Sequence, residues 1–151
     1  RLSFVIRPGQ RVAFVGHTGS GKSSIINLLM RFYEFDRGDI LLDGRSIRDY
    51  SRAELRRRLG LVLQDPFLFY GTVKENIRMY NQELDDEASQ AADRLGQGDS
   101  LIDQLPDRHD HVLASRAATL SSGQRQLLSF ARSIAADPKI LVLDEATAHI
   151  D

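Results

Sequence analysis

Gly16-His17-Thr18-Gly19-Ser20-Gly21-Lys22-Ser23 has the form G-x-x-x-x-G-K-[ST], which carries chemistry when it joins a strand to a helix. Both flanks meet that condition. Arg11–Val15 is a short, mostly aliphatic run that reads as a strand, and Lys22–Phe32 places apolar residues at helical spacing. Glycines in such a turn allow positive φ and close backbone approach, so successive N–H groups can surround phosphate oxygens at the positive end of the helix. Lys22 then offers a mobile cation to β- and γ-phosphates, and Ser23 a hydroxyl to Mg²⁺, which prefers oxygen ligands. The backbone of His17, Thr18, Ser20 and Ser24 lies in or beside the same cradle. A dinucleotide fingerprint is absent, since Gly19-Ser20-Gly21-Lys22-Ser23-Ser24 lacks the third glycine of G-x-G-x-x-G. The ligand expected here is a nucleoside triphosphate.

Outward from this loop, the 151 residues are 42% apolar and 27% charged, enough for one packed domain and unlike a disordered chain. No apolar run approaches the roughly 20 residues that span a bilayer. Without cysteine there is no disulfide, thiol nucleophile or Cys-ligated metal site. Charge is uneven: residues 1–75 hold 13 basic and 8 acidic groups, residues 76–151 hold 7 and 13. Arg56-Arg57-Arg58 lacks interleaved aromatics and reads as a solvated or partner-facing helix rather than a nucleic-acid contact.

Strands are expected at Leu2–Ile6, Arg11–Val15, Ile40–Leu42, Leu61–Leu63 and Ile140–Leu143, the last suited to a buried parallel position. Helices are expected at Lys22–Phe32, Arg52–Leu59, Val73–Met79, Asp85–Leu95 and Ser122–Ala136. Residues 83–110 carry nine Asp/Glu and two Arg, a solvated helical insertion without calcium-loop spacing. The alternation gives an α/β fold.

Three of these strands end in groups able to do chemistry: Gly16, Gln64 and the pair Asp144-Glu145. Ligands in open α/β sheets bind beyond the carboxyl ends of strands, so these groups converge if the strands are neighbours. One carboxylate could then hold Mg²⁺ while the other polarises water, and Gln64 could bind the ion or orient that water. Leu120-Ser121-Ser122-Gly123-Gln124 reads as a capping box opening a helix, with Ser121 as N-cap and Gln124 three residues on. A hydroxyl, a glycine and free N–H groups also make it a second anion site.

The ordered set of phosphate loop, Gln64, Leu120–Gln124 and the acidic strand end resembles the nucleotide-binding domain of ATP-binding cassette (ABC) transporters, across essentially the whole chain. The stretch Gln64-Asp65-Pro66-Phe67-Leu68-Phe69-Tyr70-Gly71-Thr72-Val73-Lys74-Glu75-Asn76-Ile77 is more similar to exporters than importers. The resemblance implies a P-loop NTPase core with a mainly parallel sheet, antiparallel N-terminal strands and an inserted helical subdomain, about residues 72–136, bearing the signature. It implies an ATPase that uses ATP and Mg²⁺, in which two domains meet head to tail and each nucleotide lies between one phosphate loop and the partner's signature. Gly16–Ser24, Gln64, Ser121, Ser122, Gly123 and Gln124 would then contact nucleotide. Ser23, Gln64 and Asp144 would hold the metal, and Glu145 would be the general base, with Gln64 and Lys22 assisting.

Phe67–Tyr70 would lie near the coupling helices of transmembrane domains on the same polypeptide, at the cytoplasmic face of a membrane. An adenine-stacking aromatic is expected before residue 1 and a switch histidine after residue 151, leaving His149 a loop or interface position. Departures from the pattern are Ser122 where glycine is commoner, Val112 where exporters usually carry Glu, and Ser115-Arg116-Ala117 where they carry Glu-Arg-Gly. The competing readings are a soluble ABC-type ATPase acting on nucleic acid or in translation, and a non-hydrolysing regulatory domain. Retention of Glu145 argues against the second.

Overall fold

Three hydroxyl side chains decide where helices begin. Ser51 accepts from the Glu54 N–H, Thr72 from Glu75 and Ser121 from Gln124, at 3.1, 3.1 and 3.2 Å. Each satisfies a backbone donor that the first helical turn leaves unpaired. At Thr72 and Ser121 the third residue reaches back to the cap's own N–H, completing a capping box.

The structure, a computed structural model, describes residues 2–63, 66–79, 99–113 and 120–144. Within them the order is α1 (Lys22–Leu29), β1 (Leu41–Leu42), β2 (Arg45–Ser46), α2 (Arg52–Arg58), β3 (Leu59–Val62), β4 (Gly71–Thr72), α3 (Val73–Arg78), α4 (Asp99–Ile102), β5 (Val112–Leu113), α5 (Ser122–Ala135) and β6 (Ile140–Leu143). Strands β3 and β6 pair in parallel, Leu59 opposite Ile140 through Val62 opposite Leu143. The pairs β1–β2 and β4–β5 are antiparallel.

Two apolar clusters hold this together. One gathers Met30, Leu42, Ile47, Tyr50, Leu55 and Leu59 around α1 and α2. The other lies between residues 68 and 135 and centres on Leu68, Val73, Ile77, Leu113, Leu128 and Ala131. Arg31 ties α1 to the first cluster, donating from Nη1 to the carbonyls of Ile47 and Tyr50 at 3.1 and 2.9 Å. A hydrogen bond from the same guanidinium holds the Glu34 carboxyl below its ordinary range.

Expected and observed elements agree for α1, α2, α3, α5 and β6, with helix ends shifted by one to three residues. Three differences need correction. Leu2–Ile6 and Arg11–Val15 form no strand. Both are apolar enough for one, but no ladder partner reaches them among the described residues, and Val5 and Val15 stand 85% and 94% exposed. Strand β3 begins at Leu59, two residues earlier than expected, because that residue turns to extended backbone (φ −116°, ψ 117°) directly at the end of α2. Finally, β6 is parallel as expected but not buried: its ladder has β3 alone among the described residues, and Ile140, Leu141 and Leu143 remain exposed. The helix expected at Asp85–Leu95 lies outside the described residues.

Gly60 fixes how closely β3 approaches the turn before β6. A Cβ there would sit 2.9 Å from Pro138 Cγ and 3.0 Å from Leu141 Cδ1. Gly60→Ala is therefore expected to destabilise the protein by about 1–3 kcal/mol through overpacking. Urea denaturation checks this, and an unchanged midpoint would show that the ladder tolerates a wider gap.

Candidate functional site

The phosphate loop adopts the backbone its glycines permit. Gly19 and Gly21 have φ of 82° and 93°, and a Cβ on Gly16 would lie 2.6 Å from Ser20 Oγ. The Ser20 N–H donates to the His17 carbonyl at 3.1 Å, closing the turn, and Gly21 caps α1 with no side chain of its own. Lys22 Nζ donates to the carbonyls of Gly16 and His17 at 2.7 and 3.1 Å. The ammonium is thus folded back over the loop, bonded to neutral carbonyls that a phosphate's charge can outcompete. Ser23 and Ser24 follow on the first turn of α1 and are exposed.

Parallel pairing places the carboxyl ends of β3 and β6 side by side. The Asp144 N–H donates to the Val62 carbonyl at 3.0 Å, so the acidic residue emerges where β3 ends. Of the three strand ends expected to converge, two do so. Arg11–Val15, which leads into the loop, is not hydrogen-bonded to either strand. Gln64 and Glu145 directly follow these strands in sequence but lie outside the described residues, as does His149.

The serine-glycine turn is a capping box in full. The Gln124 N–H donates to Ser121 Oγ at 3.2 Å, and the Ser121 N–H donates to Gln124 Oε1 at 2.9 Å. In this arrangement the Ser121 hydroxyl acts as an acceptor toward the helix, which leaves its own proton to donate outward. Ser121 and Ser122 are exposed, and Gly123 is half-buried. The capping role and the anion-binding role are therefore compatible in one side chain.

Arginines of the basic half lie over aromatic rings of their own chain. The guanidinium carbons of Arg45 and Arg58 stand 4.1 and 5.5 Å from the Tyr50 ring centre, Arg48 stands 4.0 Å from Phe35, and Arg56 stands 5.4 Å from Phe32. Arg56 and Arg58 rest against Phe32 and Tyr50 while Arg56 and Arg57 stay exposed, as expected of a solvated helix face.

Oxygen donors of the kind Mg²⁺ prefers stand on the first turn of α1 and directly after β6. Ser23 and Asp144 bring a hydroxyl and a carboxylate, and no cluster of three or more His, Cys, Asp or Glu occurs among the described residues. An ion that takes one or two protein oxygens and completes its shell with phosphate and water needs no such cluster.

Sequence reasoning overlooked Asn76 and Arg132. Both are buried, and they bond to each other and to the loop after β3. The available signal was Arg132 on the apolar stripe of α5, in step with Leu128, Ala131 and Ala135. A charge there must find partners inside.

Residues 1–148 match the family described as ABC transporter. A protein of Streptococcus pneumoniae named as an ABC transporter ATP-binding protein, exp8, is 59% identical over 99% of this chain, which covers 26% of that protein. One of Bacillus subtilis named for a multidrug resistance ABC transporter ATP-binding/permease role, YheH, is 51% identical over 99% of the chain and 22% of its own length. Among solved structures, a bacterial Atm1-family ABC exporter with ATP bound superposes with a TM-score of 0.84 at 36% identity, over 89% of this chain and 24% of that one. The chain spans about a quarter of the length of the curated relatives it matches.

Lys22→Ala removes the one cation folded into the loop and keeps its backbone. We expect Mg-ATP affinity, measured by calorimetry, to fall about tenfold to a hundredfold, as for loss of hydrogen bonds to a charged group. Equal affinity would contradict the phosphate-loop assignment.

Proposed function

The chain belongs to the ABC transporter family, and on that premise we propose that it binds Mg-ATP and hydrolyses it to ADP and phosphate to power an exporter in a membrane. The observation that carries this reading is the loop at Gly16–Ser23, built on positive-φ glycines with Lys22 folded over its carbonyls. Phosphate oxygens would displace those carbonyls from Lys22 and take the N–H groups of Gly16–Ser24. Ser23, Gln64 and Asp144 would hold Mg²⁺, whose charge supports the phosphate oxygens as the γ-phosphoryl group transfers.

Glu145 would accept a proton from the attacking water, with Gln64 orienting it. Water oxygen bonds to the γ-phosphorus as the bond to the β–γ bridging oxygen breaks, and ADP leaves with that electron pair. Lys22 would hold the β- and γ-phosphates during the step. Ser121, Ser122, Gly123 and Gln124 would close on nucleotide held by a second such domain. The exposed hydroxyl of Ser121 supports this, because the cap uses its oxygen only as an acceptor and so leaves its donor capacity unspent.

We assign a helical subdomain to about residues 72–136, supported by the apolar cluster confined to 68–135. Transmembrane domains on the same polypeptide fit relatives named ATP-binding/permease, of which this chain covers about a quarter. Phe67, Phe69 and Tyr70 are exposed on the loop before β4 and would meet those domains at the cytoplasmic face.

The two carboxylates should separate by phenotype. Glu145→Gln in the intact transporter keeps shape but cannot accept the proton, so nucleotide affinity should persist while kcat falls about a hundredfold or more. ATP-bound dimers should accumulate in sedimentation. Asp144→Asn should instead weaken the Mg²⁺-dependent part of binding. Near-normal hydrolysis by Glu145→Gln would overturn the assignment of the base.

A further inference from the structure

Helix α5 begins at the serine-glycine turn and, about 15 Å further along at 1.5 Å per residue, carries a buried arginine whose whole head is engaged. Arg132 is 8% exposed. Its Nε donates to the Asn76 carbonyl, its Nη2 to Asn76 Oδ1 and its Nη1 to the Phe67 carbonyl, each at 2.9 Å. Asn76 in turn holds the same loop from α3. Its Oδ1 accepts from the Phe69 N–H at 2.9 Å, and its Nδ2 donates to the carbonyls of Phe69 and Thr72 at 3.0 Å. On the next residue of α5, Ser133 Oγ donates to the Leu61 carbonyl in β3 at 3.1 Å. One helix therefore grips the chain on both sides of the β3 exit, at Leu61 and at Phe67.

We infer that Arg132 and Asn76 form a latch that makes the exposed loop Phe67–Tyr70 and the serine-glycine turn move as one body. A planar guanidinium is suited to this because its fixed fork sets a separate nitrogen at each of three acceptors, whereas an ammonium's three donors radiate from a single atom. The latch also pairs the partly buried carbonyls of Phe67 and Phe69, which the loop's own backbone does not engage. Displacement of the loop by whatever seats on Phe67, Phe69 and Tyr70 passes through Arg132 into α5 and reaches Ser121–Gly123. Arg132 is thus a positioning residue: it touches no nucleotide and acts through the turn. This inference rests on the reading of that turn as the part that completes a second domain's ATP site.

The test uses the intact transporter and the variants Arg132→Lys and Asn76→Ser, with Leu128→Ala as a packing control on the same helix. For Arg132→Lys we expect kcat for ATP to fall about tenfold with KM within twofold, since the phosphate loop is untouched. Amide hydrogen exchange in peptides spanning 67–72 should accelerate at least tenfold while that of 126–135 is unchanged. Asn76→Ser should give the same signature, and the double variant should lose no more than the worse single one. Leu128→Ala should lower Tm but keep kcat per folded molecule. Unchanged exchange in 67–72, additive losses, or an equal kcat loss in Leu128→Ala would overturn the latch. If Arg132→Lys does not fold, Asn76→Ser alone decides by the same exchange and kinetic criteria. Phosphate release by the unaltered transporter, measured alongside, separates the two claims: if it hydrolyses no ATP, the ATPase reading fails while the exchange result still judges the latch.

Discussion

The parallel ladder between β3 and β6 is the constraint on which the arrangement depends. Parallel neighbours cannot be joined by a tight turn, and here about eighty residues separate Leu59 from its partner Ile140. That crossover contains a folded body of its own, with α3, α5 and the short β4–β5 pair around Leu113 and Leu128. Its last helix packs back on β3 before the chain enters β6. Gly60 sets the distance of that return, because Pro138 and Leu141 occupy the space a side chain would need. The ladder then delivers Asp144 beside the end of β3.

The same crossover links two surfaces of different chemistry. Its aromatic loop is exposed, Tyr70 by 77%, and its serine-glycine turn presents hydroxyls and N–H groups at the start of α5. Between them the connection is polar and buried: Arg132, Asn76 and the carbonyl of Phe67. An apolar contact would give cohesion without fixed direction. One hydrogen bond from the planar group to Phe67 and two to Asn76, which itself bonds Phe69, fix the loop's distance and orientation relative to the helix.

Much of this was legible in the residues because it depends on local chemistry. Ser51, Thr72 and Ser121 announce helix starts through their hydroxyls, and the capping box at Ser121–Gln124 could be read from spacing alone. The phosphate loop was legible for the same reason, since its glycines and lysine are contiguous. Strand β1 was legible as the apolar run Ile40–Leu42, but its partner β2 and the pair β4–β5 were not, because two-residue strands carry no periodicity and exist only through their partners. Leu2–Ile6 and Arg11–Val15 show the converse: strand-like composition in segments that find no ladder. The Arg132–Asn76 contact spans 56 positions, and only a charge on an apolar stripe hinted at it. The aromatic faces under Arg48 and Arg56 likewise come from residues distant in sequence.

Neutral carbonyls hold Lys22 over the loop, and the central claim is that ATP phosphates displace them and are hydrolysed beside the paired strand ends. Release of inorganic phosphate from Mg-ATP by the intact transporter in lipid tests that claim most directly. It predicts saturable release that falls to background when Mg²⁺ is chelated. Saturable binding of Mg-ATP with phosphate release no faster than in buffer would contradict it.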